Sequence, residues 1–424
     1  MKATLVIKNI DNLITLKGDN KPRVKESLKD IGIIKNGTLA LNGEKIIYVG
    51  EGELPSDIIL DENTVVLDGT GKTVTPGLVD SHTHLVHGGS RENELAMRLK
   101  GVPYLDILAA GGGIHSTVKS TREATFEQLY NKAKKSLDTM LGFGVTTVES
   151  KSGYGIEDFG TELKQLEVAD KLNDNHPIDI VSTFMAAHAI PKDYKDNPDD
   201  FVEIIIRDML PEVAKRKLAK FCDVFCEEGV FTIEQSRKIL LAAREYDMEP
   251  KLHADEIEPL GGAELAAEIG CITADHLIAA SDIGIEKMAE KGVIANLLPG
   301  TSFNLQTGKF ARARYMIEKG VPVSLSTDYN PGSCPTENLQ LIMSFASLIM
   351  KLTPEEVITG VTINGAAALG LEKKIGSLEI GKKGDIVVFD APNLEYILYH
   401  FGVNHVDTVV KNGKIVYRDK KIIV

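Results

Sequence analysis

Four times in the middle of the chain a glycine stands just before a short apolar strand: Gly142 before VTTVES, Gly270 before CITADH, Gly292 before VIANLL and Gly320 before VPVSLSTD. Helical segments come before them. Thr125 with Gln128, and Thr232 with Gln235, form capping-box starts, and Leu129, Ala133, Leu137 and Leu141 supply an apolar face at helical spacing. Strands that are apolar on both faces and alternate with helices belong to a parallel sheet with helices packed over it. Adding LVDSHTH, IDIVSTFMAAH, KFCDVFCEE and EPKLHADE brings the strands to eight, the number that closes a barrel. An open doubly wound sheet would need a glycine-rich phosphate loop after its first strand, and here that strand ends in HTH. The expected fold is therefore α/β, a (β/α)8 TIM-like barrel over residues 76–374.

The flanks have a different texture. Short β-runs and turns fill residues 1–75, with a hairpin-type Asn42-Gly43, and the same texture returns in 375–424 with Asn412-Gly413. Neither flank is long enough for a robust core of its own, so the two are expected to pair as one composite β-sandwich domain.

Charge and cysteine content narrow the partners. With 48 basic against 61 acidic residues the net charge is −13, which argues against nucleic acid and against an anionic membrane surface. The four cysteines, Cys222, Cys226, Cys271 and Cys334, form no CxxC pair and read as buried thiols in a reducing compartment. Neither a leader-like start nor an apolar run of membrane-spanning length is present, so a cytoplasmic protein acting on a small molecule is expected.

In a barrel of this kind the chemistry lies at the C-terminal ends of the strands. Six of the eight strands end in useful side chains: His82 with His84, Glu149, His188, His253, His276 and Asp328. Five of the ten histidines fall at such ends, a concentration that marks a site rather than unrelated core histidines. His82 and His84 are two residues apart and on a strand would point the same way. Together with His253 and Asp328 they make a three-nitrogen, one-carboxylate set suited to one Zn²⁺ or Fe²⁺/Fe³⁺ ion with a position left for water. A metal so held lowers the pKa of a bound water to roughly 7, and hydrolysis follows. Glu256, three residues after His253, is placed to take a proton from the attacking water, and His276 to polarise a substrate carbonyl or to bond a neighbouring acid. His87 lies past the strand end and suits a supporting role; His115, His176, His400 and His405 read as surface or packing residues.

HxH on the first strand, single histidines on the fifth and sixth, and an aspartate on the eighth resemble the amidohydrolase superfamily over essentially the whole chain. Further motifs narrow the resemblance to enzymes that open the ring of 4-imidazolone-5-propanoate in histidine degradation. They are Gly88-Gly89-Ser90-Arg91, GGGI at 111–114, ESKSGYG at 149–155, AAH ending at His188, LHADE, and TDYNPGS at 327–333. The resemblance implies Arg91, Tyr154 and His188 as substrate contacts and Glu256 beside the metal's water. It also implies Asn330, Gly332 and Ser333 as a loop gripping substrate or product, with catalysis shared among Glu256, His276 and Asp328. His87 stands where an aromatic residue is usual. Two-metal members place a bridging lysine at the end of the fourth strand. Here Lys220 is at its beginning and Lys151 follows the second strand, so one metal is expected, with Glu227 or Glu228 as the alternative bridge. Arg91 offers a two-pronged partner for the substrate's carboxylate, and Tyr104 is a weaker candidate for ring contact. A homodimer is the expected assembly. Two alternatives stay open at this stage: another amidohydrolase, such as a deaminase of aromatic bases, and a non-catalytic barrel scaffold.

Overall fold

The computed structural model describes residues 1–102, 112–306 and 308–423. Eight strands follow one another in chain order around a single parallel sheet: Leu78–Asp80, Val145–Lys151, Asp179–Ala187, Phe221–Cys226, Glu249–Ala254, Thr273–His276, Ile294–Leu297 and Val323–Leu325. Each pairs in parallel with its neighbour, as the recurring helix-to-strand unit requires. The helices form as their end signals predict. Thr125 and Gln128 exchange reciprocal hydrogen bonds at the start of Phe126–Gly142, which buries Leu129, Ala133, Leu137 and Leu141, and Thr232 with Gln235 does the same for Ile233–Glu245. Gly270 and Gly292 end their helices at φ 74° and 70°, a left-handed turn that an L side chain resists, and so release the chain into the next strand.

The barrel is closed by segments just beyond its regular strands. Leu78–Asp80 and Val323–Leu325 are the two ends of the sheet order. The seam between them is bonded by Asp328 N–H to the His82 carbonyl (3.0 Å), His84 N–H to the Tyr329 carbonyl (2.8 Å) and Thr327 N–H to an Asp80 carboxylate oxygen (3.0 Å). His82 and His84 therefore lie past the end of the first strand rather than on it, as the reading of LVDSHTH as one strand had placed them.

The flanks make two sheets. One takes only N-terminal strands, in the order Lys45–Glu51, Gly37–Asn42, Leu5–Ile10 and Val65–Asp68. The other mixes both chain ends, with Ile386–Phe389 antiparallel to Thr73–Pro76. Leu5, Ile7, Leu39 and Leu41 from the first sheet share a core with Val74, Ile386, Val388 and Val410 from the second. Because Thr73–Pro76 runs straight on into the first barrel strand, this small β-unit is continuous with the barrel wall.

A second tie is electrostatic. The Lys411 ammonium bridges Asp385 (2.7 Å) in the terminal sheet and Asp179 (2.8 Å) at the start of the third barrel strand, with Lys411 2% and Asp385 3% exposed. Lys411→Met would leave Asp385 buried without its cation. The expected result is a loss of about 3 kcal/mol of stability, read as a lower urea midpoint for unfolding of the purified protein.

Candidate metal centre and active site

The seam brings the expected ligands together. His82 Nε2 is 3.4 Å and His84 Nε2 3.8 Å from the same Asp328 oxygen, and the His253 ring centroid lies 4.6 Å from that of His82. The other faces of two of these rings are tied down. His82 Nδ1 meets Asp275 at 2.6 Å, and His253 Nδ1 lies 3.1 Å from both oxygens of Asp223. The Nε2 atoms of His82 and His253 are buried with no hydrogen-bond partner in the protein. Buried imidazole nitrogens left unpaired beside a carboxylate are the donor set that a divalent metal satisfies, so the residues fit such an ion. Among the described residues His82, His84 and Asp328 form one group at ligand spacing, and His82, His253 and His276 another, which brings His276 closer to the centre than its position in the sequence indicated. Burial holds His82, His84 and His276 well below the usual histidine pKa, in the neutral form that binds metal. For His253 burial acts the same way, but the Asp223 carboxylate outweighs it and raises the group.

Beneath the ligands lies a charged cluster that the sequence reading missed. Lys151 Nζ is 2.7 Å from Asp223, 3.0 Å from Glu149 and 3.4 Å from Asp275, and Lys251 Nζ is 2.8 Å from Glu149; none of these side chains is exposed. Glu149 is thus not a mouth residue, since its strand continues to Lys151 and its carboxylate faces the two lysines. A signal was present in the sequence. Glu149 and Lys151, and likewise Lys251 and His253, are two residues apart, share one face of their strands and are buried. Burial opposes the charge on Lys151, but Asp223, Glu149 and Asp275 outweigh it and raise its pKa.

On one side of the centre Glu256 and His276 face each other, with His276 Nδ1 3.6 Å from the Glu256 carboxylate. Burial, then the nearby Asp328, pushes Glu256 up to about 8; burial brings Asp328 to about 6. His276 and Asp328 both have left-handed backbones, φ 72° and 56°, strain of the kind that functional turns hold. Glu227, the alternative bridge, is engaged by main-chain N–H groups. Its oxygens accept the N–H groups of Glu228, Ile257 and Glu258 and so fix the loop that carries Glu256, while Glu228 is exposed.

The side chains expected to contact substrate pack around His84 and the turn at 330–333. His188 stacks on His84 at 4.7 Å and 11°, and Tyr154 lies 5.4 Å from His188. The Tyr154 loop is gathered by Glu162, which accepts from the N–H groups of Gly153, Gly155 and Ile156. His87 bonds through Nδ1 to the His84 carbonyl and packs between Tyr154 and Tyr329, so it supports the wall. Arg91 is held edge-on by Glu94 (3.0 and 2.9 Å) with its guanidinium against Gly332. The Asn330 side chain is used within its own loop: its oxygen accepts from Gly332 and Ser333 N–H, and its amide donates to the Asp328 carbonyl and the Ser333 hydroxyl. Ser333 Oγ lies 3.5 Å from Asp328. Thr301, not anticipated, donates to the second oxygen of Asp328 and leaves the first to face the histidines. Tyr104 and Gly111 lie outside the described residues.

A parallel barrel with a histidine and carboxylate centre at its C-terminal mouth, flanked by a β-unit from both chain ends, defines a hydrolase of the amidohydrolase class. The profile of the amidohydrolase family matches residues 73–416. The chain is 61% identical over 423 residues to imidazolonepropionase of Alkaliphilus metalliredigens, covering 100% of both chains. It is 54% identical over 421 residues to that of a Geobacillus species, covering 99% of each. It belongs to the imidazolonepropionases of the amidohydrolase family. Among solved structures, an adenosine deaminase from Xanthomonas campestris with bound zinc shares the fold at TM-score 0.70 and 18% identity, over 100% of this chain and 94% of that one.

One close approach yields a test. A Cβ added at Gly332 would overlap the Arg91 guanidinium, which the two bonds from Glu94 keep from swinging away. Gly332→Ala is expected to raise KM at least tenfold, with metal content unchanged, in steady-state kinetics and elemental analysis.

Proposed function

We infer that the protein hydrolyses the cyclic amide C–N bond of 4-imidazolone-5-propanoate to give N-formimidoyl-L-glutamate, a step of histidine degradation. The observation that carries this reading is the gathering of His82, His84, His253 and Asp328 beside the Glu256–His276 pair, with His188 stacked on His84 and Tyr154 near both. The proposed ion is a single zinc or iron, held by those three histidines and Asp328. When bound it supplies a Lewis acid and an acidified water.

The side chains divide the rest of the work. Glu256, facing His276 beside the proposed ligands, takes a proton from the attacking water. His276, neutral and beside Glu256, hydrogen-bonds the oxyanion that develops as the ring carbonyl becomes tetrahedral. Asp328 relays a proton to the ring nitrogen, which departs as the formimidoyl N–H while the ring carbonyl carbon becomes a carboxylate. Arg91 pairs with the propanoate carboxylate, and Glu94 sets the plane of that guanidinium. Tyr154 and His188 hold the ring, and Asn330 shapes the loop that presents Gly332 and Ser333. The acidic net charge supports a small-molecule enzyme with neither nucleic acid nor membrane as partner, and no helix among the described residues is long and apolar enough to cross a membrane. We take it to be cytoplasmic and homodimeric, the latter to be read by analytical ultracentrifugation.

Incubation with freshly prepared imidazolone propanoate is expected to show loss of its ultraviolet absorbance with stoichiometric formation of formimidoylglutamate; an unchanged spectrum with metal-loaded protein rejects the reading. His253→Ala should lose both metal and turnover. Glu256→Gln should keep its metal and slow by ~10²–10⁴-fold, the usual cost of losing a general base; a full rate would remove Glu256 from the proton path.

A further inference from the structure

Asp223, His253 and Asp275 offer ligand atoms at the spacing that holds a cation, and the Lys151 ammonium stands against two of the three. The oxygens it touches are shared. Asp275 Oδ2 is 3.4 Å from Lys151 Nζ and 2.6 Å from His82 Nδ1, and Asp223 Oδ2 is 2.7 Å from Lys151 Nζ and 3.1 Å from His253 Nδ1. One ammonium thus pins the two carboxylates that orient two of the proposed metal ligands.

We propose that Lys151 is a positioning residue for the metal centre, a built-in cation beneath it that aims His82 and His253, through Asp275 and Asp223, so that their Nε2 atoms face the ion. Each carboxylate accepts the Nδ1–H of its histidine, which fixes the tautomer and leaves Nε2 as the ligand atom. Without the ammonium, Asp223, Asp275 and Glu149 would face one another with only Lys251 to offset them. Among the described residues Lys251, equally buried, has its ion pair with Glu149 and stands over the Phe221 ring at 4.6 Å, and it meets neither carboxylate that holds a histidine. The two lysines therefore differ in what they hold and not in how deeply they lie.

The inference rests on the proposed ligand set, and the experiment separates the two. Zinc affinity is measured by chelator competition, and ligand geometry by the visible spectrum of the cobalt-substituted protein, for the parent, Lys151→Met and Lys251→Met. Both variants are expected to lose stability. Lys151→Met should bind zinc about 10–100-fold more weakly, the range for losing a partner that orients a ligand, and shift the cobalt bands. Lys251→Met should stay within about threefold of the parent, judged against that same range. Should Lys151→Met fail to fold, Lys151→Met/Asp275→Asn removes the surplus charge while the amide oxygen still accepts from His82. It should bind zinc at least tenfold more weakly than Asp275→Asn alone. Parental zinc affinity and cobalt spectrum in folded Lys151→Met, or in the double variant no loss relative to Asp275→Asn, would overturn the role of Lys151. A parent that binds no metal at all would instead overturn the ligand set.

Discussion

Closing a sheet of eight strands requires its last strand to find its first, and in this chain the backbone bonds that do so lie within the ligand-bearing segments. Asp328 N–H binds the His82 carbonyl and His84 N–H the Tyr329 carbonyl. The Asp80 carboxylate, fully buried and raised to about 7 mainly by that burial, accepts from both the N–H and the hydroxyl of Thr327. The distance from Asp328 to His82 and His84 is therefore set by main-chain bonding across the seam, and barrel closure and assembly of the centre are one event.

A dry barrel interior would ordinarily be filled with branched aliphatic side chains. Here its upper part holds two lysines and three carboxylates with no exposure, a costly arrangement, because desolvation of buried ion pairs commonly cancels their attraction. The seam and the flanking apolar clusters bear the stability. The charges concern direction: Asp275 and Asp223 engage Nδ1 of His82 and His253 and leave the Nε2 of both toward the centre.

Most of the architecture was legible because it depends on local chemistry. The capping boxes at Thr125 and Thr232, the helix-ending Gly270 and Gly292, and the two Asn-Gly turns act within a few residues and were read where they stand. The cluster of histidines with Asp328 that the structure gathers could be picked out in the sequence because histidines concentrated at strand ends are rare without a purpose. What escaped was whatever depends on three-dimensional neighbours. Asp223 sits in a strand reading FCDVFC and Asp275 in TADH, and nothing local says that each will meet a histidine from elsewhere. Lys151 was weighed only as a bridge between metals, and its long side chain reaches carboxylates on the fourth and sixth strands that no linear spacing reveals. Asn330 shows the converse: a motif position suited to gripping substrate spends its side chain on its own loop.

The loops around the mouth share one device. Glu162 collects three main-chain N–H groups of the Tyr154 loop, Glu227 two just after Glu256, Asp255 those of Gly261, Gly262 and Ala263, and Asn330 two of its own turn. Each loop is keyed by one acceptor that gathers main-chain N–H groups, so its path is set largely by backbone bonding. Evolution can then exchange a displayed residue, such as Tyr154 for another ring, while the anchor keeps the path of the chain. A mouth built this way separates the path of its loops from the side chains they carry.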